Sequence, residues 1–101
     1  MATLTIVYWR DIPAQVIAKA GRKNAKRVLP ERFEKAIDQS AMYAKLGDTD
    51  SYLEHWRRGE SVACGDDLET EADVLATKLD TEFTDEVLAG YIRAGGLKPE
   101  A

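Results

Sequence analysis

The chain has 101 residues, 45% of them hydrophobic and 32% charged, with seven glycines, three prolines and one cysteine. That length supports one domain around one core, and the composition excludes collagen-like or mainly disordered chains. The formal charge of −4 conceals an asymmetry: residues 1–45 hold nine Lys/Arg against four Asp/Glu, residues 46–101 five against fourteen, so the chain is a charge dipole.

Residues 2–9 are rich in Thr, Ile, Val, Tyr and Trp and predict a strand. Alternation sets Leu4, Ile6 and Tyr8 on one face and Thr3, Thr5, Val7 and Trp9 on the other. Bulky groups on both sides predict a central, largely covered strand. Arg10-Asp11-Ile12-Pro13 interrupts it, and Ala14 to Ala20 resumes the alternation, so an antiparallel hairpin is expected. Gly21 ends it. Residues 22–29 read as a basic connection, with a helical turn or a short extended piece. Pro30 suits the first position of a helix over about 30–45, whose buried stripe is Phe33, Ala36, Ile37, Ser40, Ala41 and Ala44. A short helix capped at Asp48 or Thr49 should turn Tyr52, Leu53 and Trp56 inward and end at Gly59. Residues 60–64 form a loop or a third short strand. Asp66 with Glu69 resembles a capping box opening a third helix with the stripe Leu68, Ala72, Leu75, Ala76, Leu79 and Phe83. Thr84 opens a fourth, burying Val87, Leu88, Tyr91 and Ile92, and Gly95-Gly96 closes it. The expected fold class is α+β: an N-terminal antiparallel hairpin packed against about four helices, one domain over 1–96 with a frayed tail at 97–101.

Catalytic chemistry is thinly represented. His55 is the sole histidine and is expected to face solvent beside Trp56. No GxSxG elbow, GxGxxG turn or P-loop is present, and the acidic run from Asp66 to Asp73 lacks the alternating pattern of a calcium loop. Cys64 precedes a helix start, where dipole and N–H groups favour a thiolate, yet Asp66 and Asp67 oppose it. A structural cysteine and a reactive thiol both stay open. Cys64, Asp66, Asp67 and His55 mix soft and hard ligands without metal-site spacing, so neither metal nor cofactor is expected.

Two features remain. Tyr8, Trp9 and Arg10 sit at a strand end before a turn-fixing proline, and are either core filling or an interface anchor. Arg22, Lys23, Lys26 and Arg27 dominate a basic segment from 19 to 32, and either meet the acidic half and solvent or grip an anionic partner. No run approaches the ~20 apolar residues of a membrane span. The Met1-Ala2-Thr3 start lacks a signal's basic region, and one cysteine suits a reducing compartment, so a cytoplasmic location is expected.

Val7 to Val16, Gly21-Arg22, Leu29-Pro30-Glu31-Arg32-Phe33 and Cys64-Gly65-Asp66-Asp67-Leu68 together resemble the small bacterial conserved virulence factor domain. Members stand alone or end longer HEAT-repeat proteins, and no repeat array is present here. The resemblance carries over no catalytic residues; some free-standing members accompany folate- and corrinoid-linked methyl-transfer genes. Three readings follow. The first is a non-catalytic interaction or accessory module for another bacterial protein. The second is an accessory or catalytic subunit in folate- or corrinoid-linked methyl transfer, with substrate near Trp9, Arg10 and Cys64. The third is a weak nucleic-acid or anion binder using the basic segment, against which the net acidity weighs. A homodimer through an open hairpin edge is also consistent with the sequence. A concave, partly apolar site beside Trp9 and Arg10 would favour ligand binding; a flat aromatic face would favour docking.

Overall fold

The computed structural model describes residues 2–44 and 53–99. The β-branched and aromatic opening forms β1 (Thr3–Trp9), which turns back at Arg10-Asp11 into β2 (Ile12–Ala20). Arg10 takes a φ of 52°, the left-handed geometry that tight hairpin turns require. The register shifts between Val7 and Tyr8, which pair with Gln15 and Pro13, so Ala14 is the extra residue of a bulge. Gly21, at φ 61°, turns the chain again into β3 (Lys23–Val28). The basic connection is thus mostly strand, and the hairpin is a three-stranded meander.

The other edge of β1 is shared. β4 (Trp56–Arg58) pairs with Val7–Trp9, and β5 (Val62–Ala63) pairs with Thr3–Leu4, giving the order β3-β2-β1-β4 with β5 also on β1. The third short strand near 60–64 is therefore present. The helix expected to turn Leu53 and Trp56 inward is corrected: Trp56 begins β4, Leu53 is 55% exposed, and Tyr52 lies outside the described residues.

Among the described residues three longer helices complete the α+β fold: α1 (Glu31–Tyr43), α2 (Leu68–Glu82) and α3 (Asp85–Arg93). Pro30 is the N-cap residue of α1, one position earlier than expected. Phe33, Ala36, Ile37, Ser40 and Ala41 are buried along it, and the buried Ser40 hydroxyl donates to the Ala36 carbonyl at 2.7 Å. The cap of α2 is Asp67, not Asp66: its carboxylate accepts from the Thr70 N–H and hydroxyl at 3.2 and 2.8 Å. Thr84 caps α3 through the Val87 N–H.

α2 lies across β2 and β3, while α1 packs on α3 and the start of the sheet. Leu4, Val16, Ala18 and Ala25 from the sheet and Leu68, Ala72 and Leu79 from α2 form the buried layer between them. Burial of this apolar surface, worth roughly 25 cal/mol per Å², holds the two layers together. β1 is central and none of its residues is exposed, as expected, although the opposite sheet face is only partly covered. Thr3, Thr5, Val7, Gln15, Ile17, Lys19, Asn24, Lys26, Val28 and Arg58 share that face by register, and none is buried. Among the described residues no helix is long and apolar enough to cross a membrane.

Candidate functional site

Three regions hold the sequence-derived candidates. The first is the β1–β2 turn. Trp9 is 0% exposed, packed with Ile12 in the core and covered by the turn after α3, so it has no surface to present to a partner. Arg10 lies 5.5 Å from the Trp9 ring centroid, donates through Nη1 to the Gly95 carbonyl at 3.0 Å, and places Nη2 3.2 Å from His55 Nε2. A guanidinium only donates, so this contact is a hydrogen bond in the tautomer whose Nε2 accepts. His55 also meets Trp9 edge-on at 5.8 Å, which corrects its expected orientation toward solvent. With the Arg10 N–H donating to the His55 carbonyl and the Asp11 N–H to that of Gly96, this turn fastens β1 to β4 and to the end of α3.

The second region is the basic segment, which the fold divides. Arg27 pairs with Asp73 and, at 4.0 Å, with Glu69, both on α2. The Asp73 bond raises the already high guanidinium pKa further. Lys23 lines a shallow cleft with Asp66, Asp67 and Glu69, and Arg22 is exposed in the turn. Only Lys26 reaches the open sheet face, where Lys19 and Arg58 join it. Arg58 was not legible as a site residue, because its strand pairing with Val7 spans fifty residues. The five strands carry six Lys/Arg and no Asp or Glu, whereas the three helices carry ten carboxylates. The open face is therefore a cationic patch set in a polar and β-branched sheet.

The third region is a groove of about 570 Å³ on the helix side of β1, where α2 leaves the strand uncovered. Leu4, Ile6 and Tyr8 form its floor, Leu75, Phe83 and Tyr91 one wall, and the β4–β5 segment from Arg57 to Val62 the other. Asp11 and Lys98 close one end. Arg57 stacks on Tyr8 at 4.5 Å, donates through Nε to the Arg10 carbonyl at 2.9 Å, and pairs with Asp11 Oδ1 at 3.1 Å. The tail expected from residue 97 is held at one point, where the Lys98 N–H donates to Asp11 Oδ2 at 2.7 Å. Burial, Asp11 and Tyr8 push the Tyr91 phenol above its ordinary pKa, so it stays a protonated donor at neutral pH. The concave site thus lies beside Tyr8 and not at Trp9 or Arg10.

A family model described as Virulence factor matches residues 7–92. The chain belongs to the virulence factor family. No curated protein and no solved structure matches it. In this virulence factor domain the matched span runs from within β1 to within α3, so it includes the end of β1, β2, β3, most of the open face and most of the groove.

Nucleophile and imidazole stand far apart in the virulence factor domain. The Cys64 N–H donates to the Ala2 carbonyl before the start of β1, while His55 meets Trp9 at its end, about 20 Å along a seven-residue strand. Partial burial, then the Glu71 and Asp66 carboxylates, push the Cys64 thiol above its ordinary value, the opposite of thiolate activation. Among the described residues no group of three or more His, Cys, Asp or Glu is gathered to hold a metal ion.

Proposed function

We propose that this virulence factor domain is a non-catalytic accessory module that docks an acidic protein through the open face of its sheet. The observation carrying the reading is the charge layout: Lys19, Lys26 and Arg58 on a face whose strands hold no carboxylate among the described residues, with Glu34 of α1 only at its Gln15–Val28 edge, backed by an acidic helical layer. Such a face steers and orients an acidic partner, because like charges are excluded and opposite charges accelerate encounter. Val7, Ile17 and Val28 interleave the cations and supply apolar area; Val28 is 79% exposed. A protein fits this face better than a single-stranded nucleic acid, which would use exposed aromatic rings for stacking. The aromatic at its corner, Trp56, is partly buried against the core.

The test uses the whole chain, immobilised, with a polyglutamate peptide and an oligouridylate as probes. The wild type should retain polyglutamate more tightly. A triple variant carrying Lys19→Glu, Lys26→Glu and Arg58→Glu should lose about a hundredfold or more in affinity, since opposed like charges cost several kcal/mol. Arg22→Glu with Lys23→Glu, placed off the face, should change it little. Equal retention by the triple variant overturns the reading, and tighter binding of oligouridylate moves it to nucleic acid.

A further inference from the structure

The groove along β1 has a direction. At one end Leu4 faces its strand partner Val62, which is 53% exposed, so this end is an apolar lip. Ile6 lies midway, and Gly59 closes tightly over it: its N–H donates to the Ile6 carbonyl at 2.8 Å, and a Cβ there would stand 2.8 Å from Tyr8 Cε2. At the far end stand the Tyr8 and Tyr91 phenols, Arg57, Asp11 and Lys98. From Leu4 to Tyr8 is about 13 Å of strand. Apolar floor and polar end are thus separated along one slot of ligand size.

The polar end has a sign. Both Asp11 oxygens are engaged, Oδ1 by Arg57 and Oδ2 by the Lys98 N–H, so one guanidinium charge offsets the carboxylate. The Lys98 ammonium makes no ion pair among the described residues, and the two phenols can donate. What is left over at this end is one positive charge, that of Lys98, beside the two tyrosines that line the slot with it. Glu60, the other carboxylate of the lining, stands on the β4–β5 connection nearer the middle of the slot. It disfavours an anion there and leaves the Tyr8–Lys98 end as the one that would receive an anion.

We propose that this groove binds a small amphipathic anion, with a carboxylate-type head between Lys98, Tyr8 and Tyr91 and an apolar tail along Ile6 toward Leu4 and Val62. The site is separate from the open sheet face, on the opposite side of β1, and does not depend on the docking reading. A module with a ligand groove on one side of a strand and a docking face on the other can couple the two through that strand.

Decanoate is the probe, with decylamine as its cationic counterpart, titrated into the full chain by calorimetry and by backbone amide shifts. Decanoate should bind saturably at one site and at least tenfold more tightly than decylamine, shifting the amides of Ile6, Gly59 and Tyr91. Lys98→Ala should weaken it about tenfold, the effect of losing one charge-assisted bond. Val62→Glu, which places a charge at the apolar lip, should weaken it at least as much. Both positions are exposed, and an unchanged melting curve separates lost binding from lost fold. The triple variant on the open face should bind decanoate as the wild type does, so the two readings fail independently. No saturable binding, equal binding of decylamine, shifts confined to the open face, or wild-type affinity in both groove variants would each overturn the proposal.

Discussion

Trp9 shows how much one position can carry. Its side chain has no exposed surface, and the turn after α3 is built against it: Gly96 sits at φ 91°, and a Cβ there would lie 2.6 Å from Trp9 Cζ3. Trp9→Ala should therefore cost about 3–5 kcal/mol, a large share of the stability of a small domain, measured by urea unfolding. Gly96→Ala meets both the clash and the positive φ, and should lower the melting temperature by at least several degrees. The sequence left Trp9 open between core and surface, because alternation assigns it to the face of Val7 without saying what lies over it. That cover comes from Gly96, 87 residues away. Cys64 has a matching lesson. With its pKa raised by burial and by Glu71 and Asp66, its alkylation by iodoacetamide should be slow at neutral pH and accelerate as pH rises above that of an ordinary thiol.

Helix ends set the behaviour of the elements. α2 has no basic residue in its last turn, yet its final carbonyls are served from α1: Arg32 donates to the carbonyls of Phe83 at 2.5 Å and Asp80 at 2.6 Å, and pairs with Asp80 Oδ1. It thereby satisfies orphan acceptors and complements the negative end of the dipole. Arg32→Ala should cost about 1–2 kcal/mol, seen as a lower urea midpoint. At the other end, the Thr70 hydroxyl and N–H hold the Asp67 carboxyl below the usual carboxylate range. Its folded pKa is then below its unfolded one, so the stabilisation is full above the unfolded value and is lost as pH falls through the folded one. The acid limb of stability below about pH 4 should flatten in Asp67→Asn, read from denaturant midpoints across pH. Helix stripes were largely legible because a 3.6-residue period appears in any linear reading. β3 was not: Lys23-Asn24-Ala25-Lys26-Arg27-Val28 is a polar edge strand whose only buried residue is Ala25, so it carries little of the apolar alternation that marks a strand.

Across the whole molecule the charge dipole of the chain becomes a layered one, cationic sheet and acidic helices. Arg27 joins the sheet to α2 through Asp73 and Glu69, and Arg32 joins α1 to α2 and α3 through Asp80 and Asp85, so part of the basic segment is spent inside the fold. Among the described residues Lys19, Lys26 and Arg58 make no ion pair. Binding of polyglutamate to the open face should accordingly fall steeply as salt is raised from low to physiological ionic strength. Decanoate in the groove, held largely by apolar burial, should respond far less; parallel titrations at two salt concentrations check both.

The amino-acid sequence alone determined the α+β class, the first hairpin, most helix stripes, the family resemblance and the charge asymmetry. All of these are local or compositional. Only the tertiary structure decided which face of the sheet is less covered, which cations pair across the fold, and that Tyr8, Arg57, Tyr91 and Lys98 line one groove. Those outcomes depend on strand register and helix placement, which bring together residues up to ninety positions apart, and no periodicity in a single chain encodes such distances.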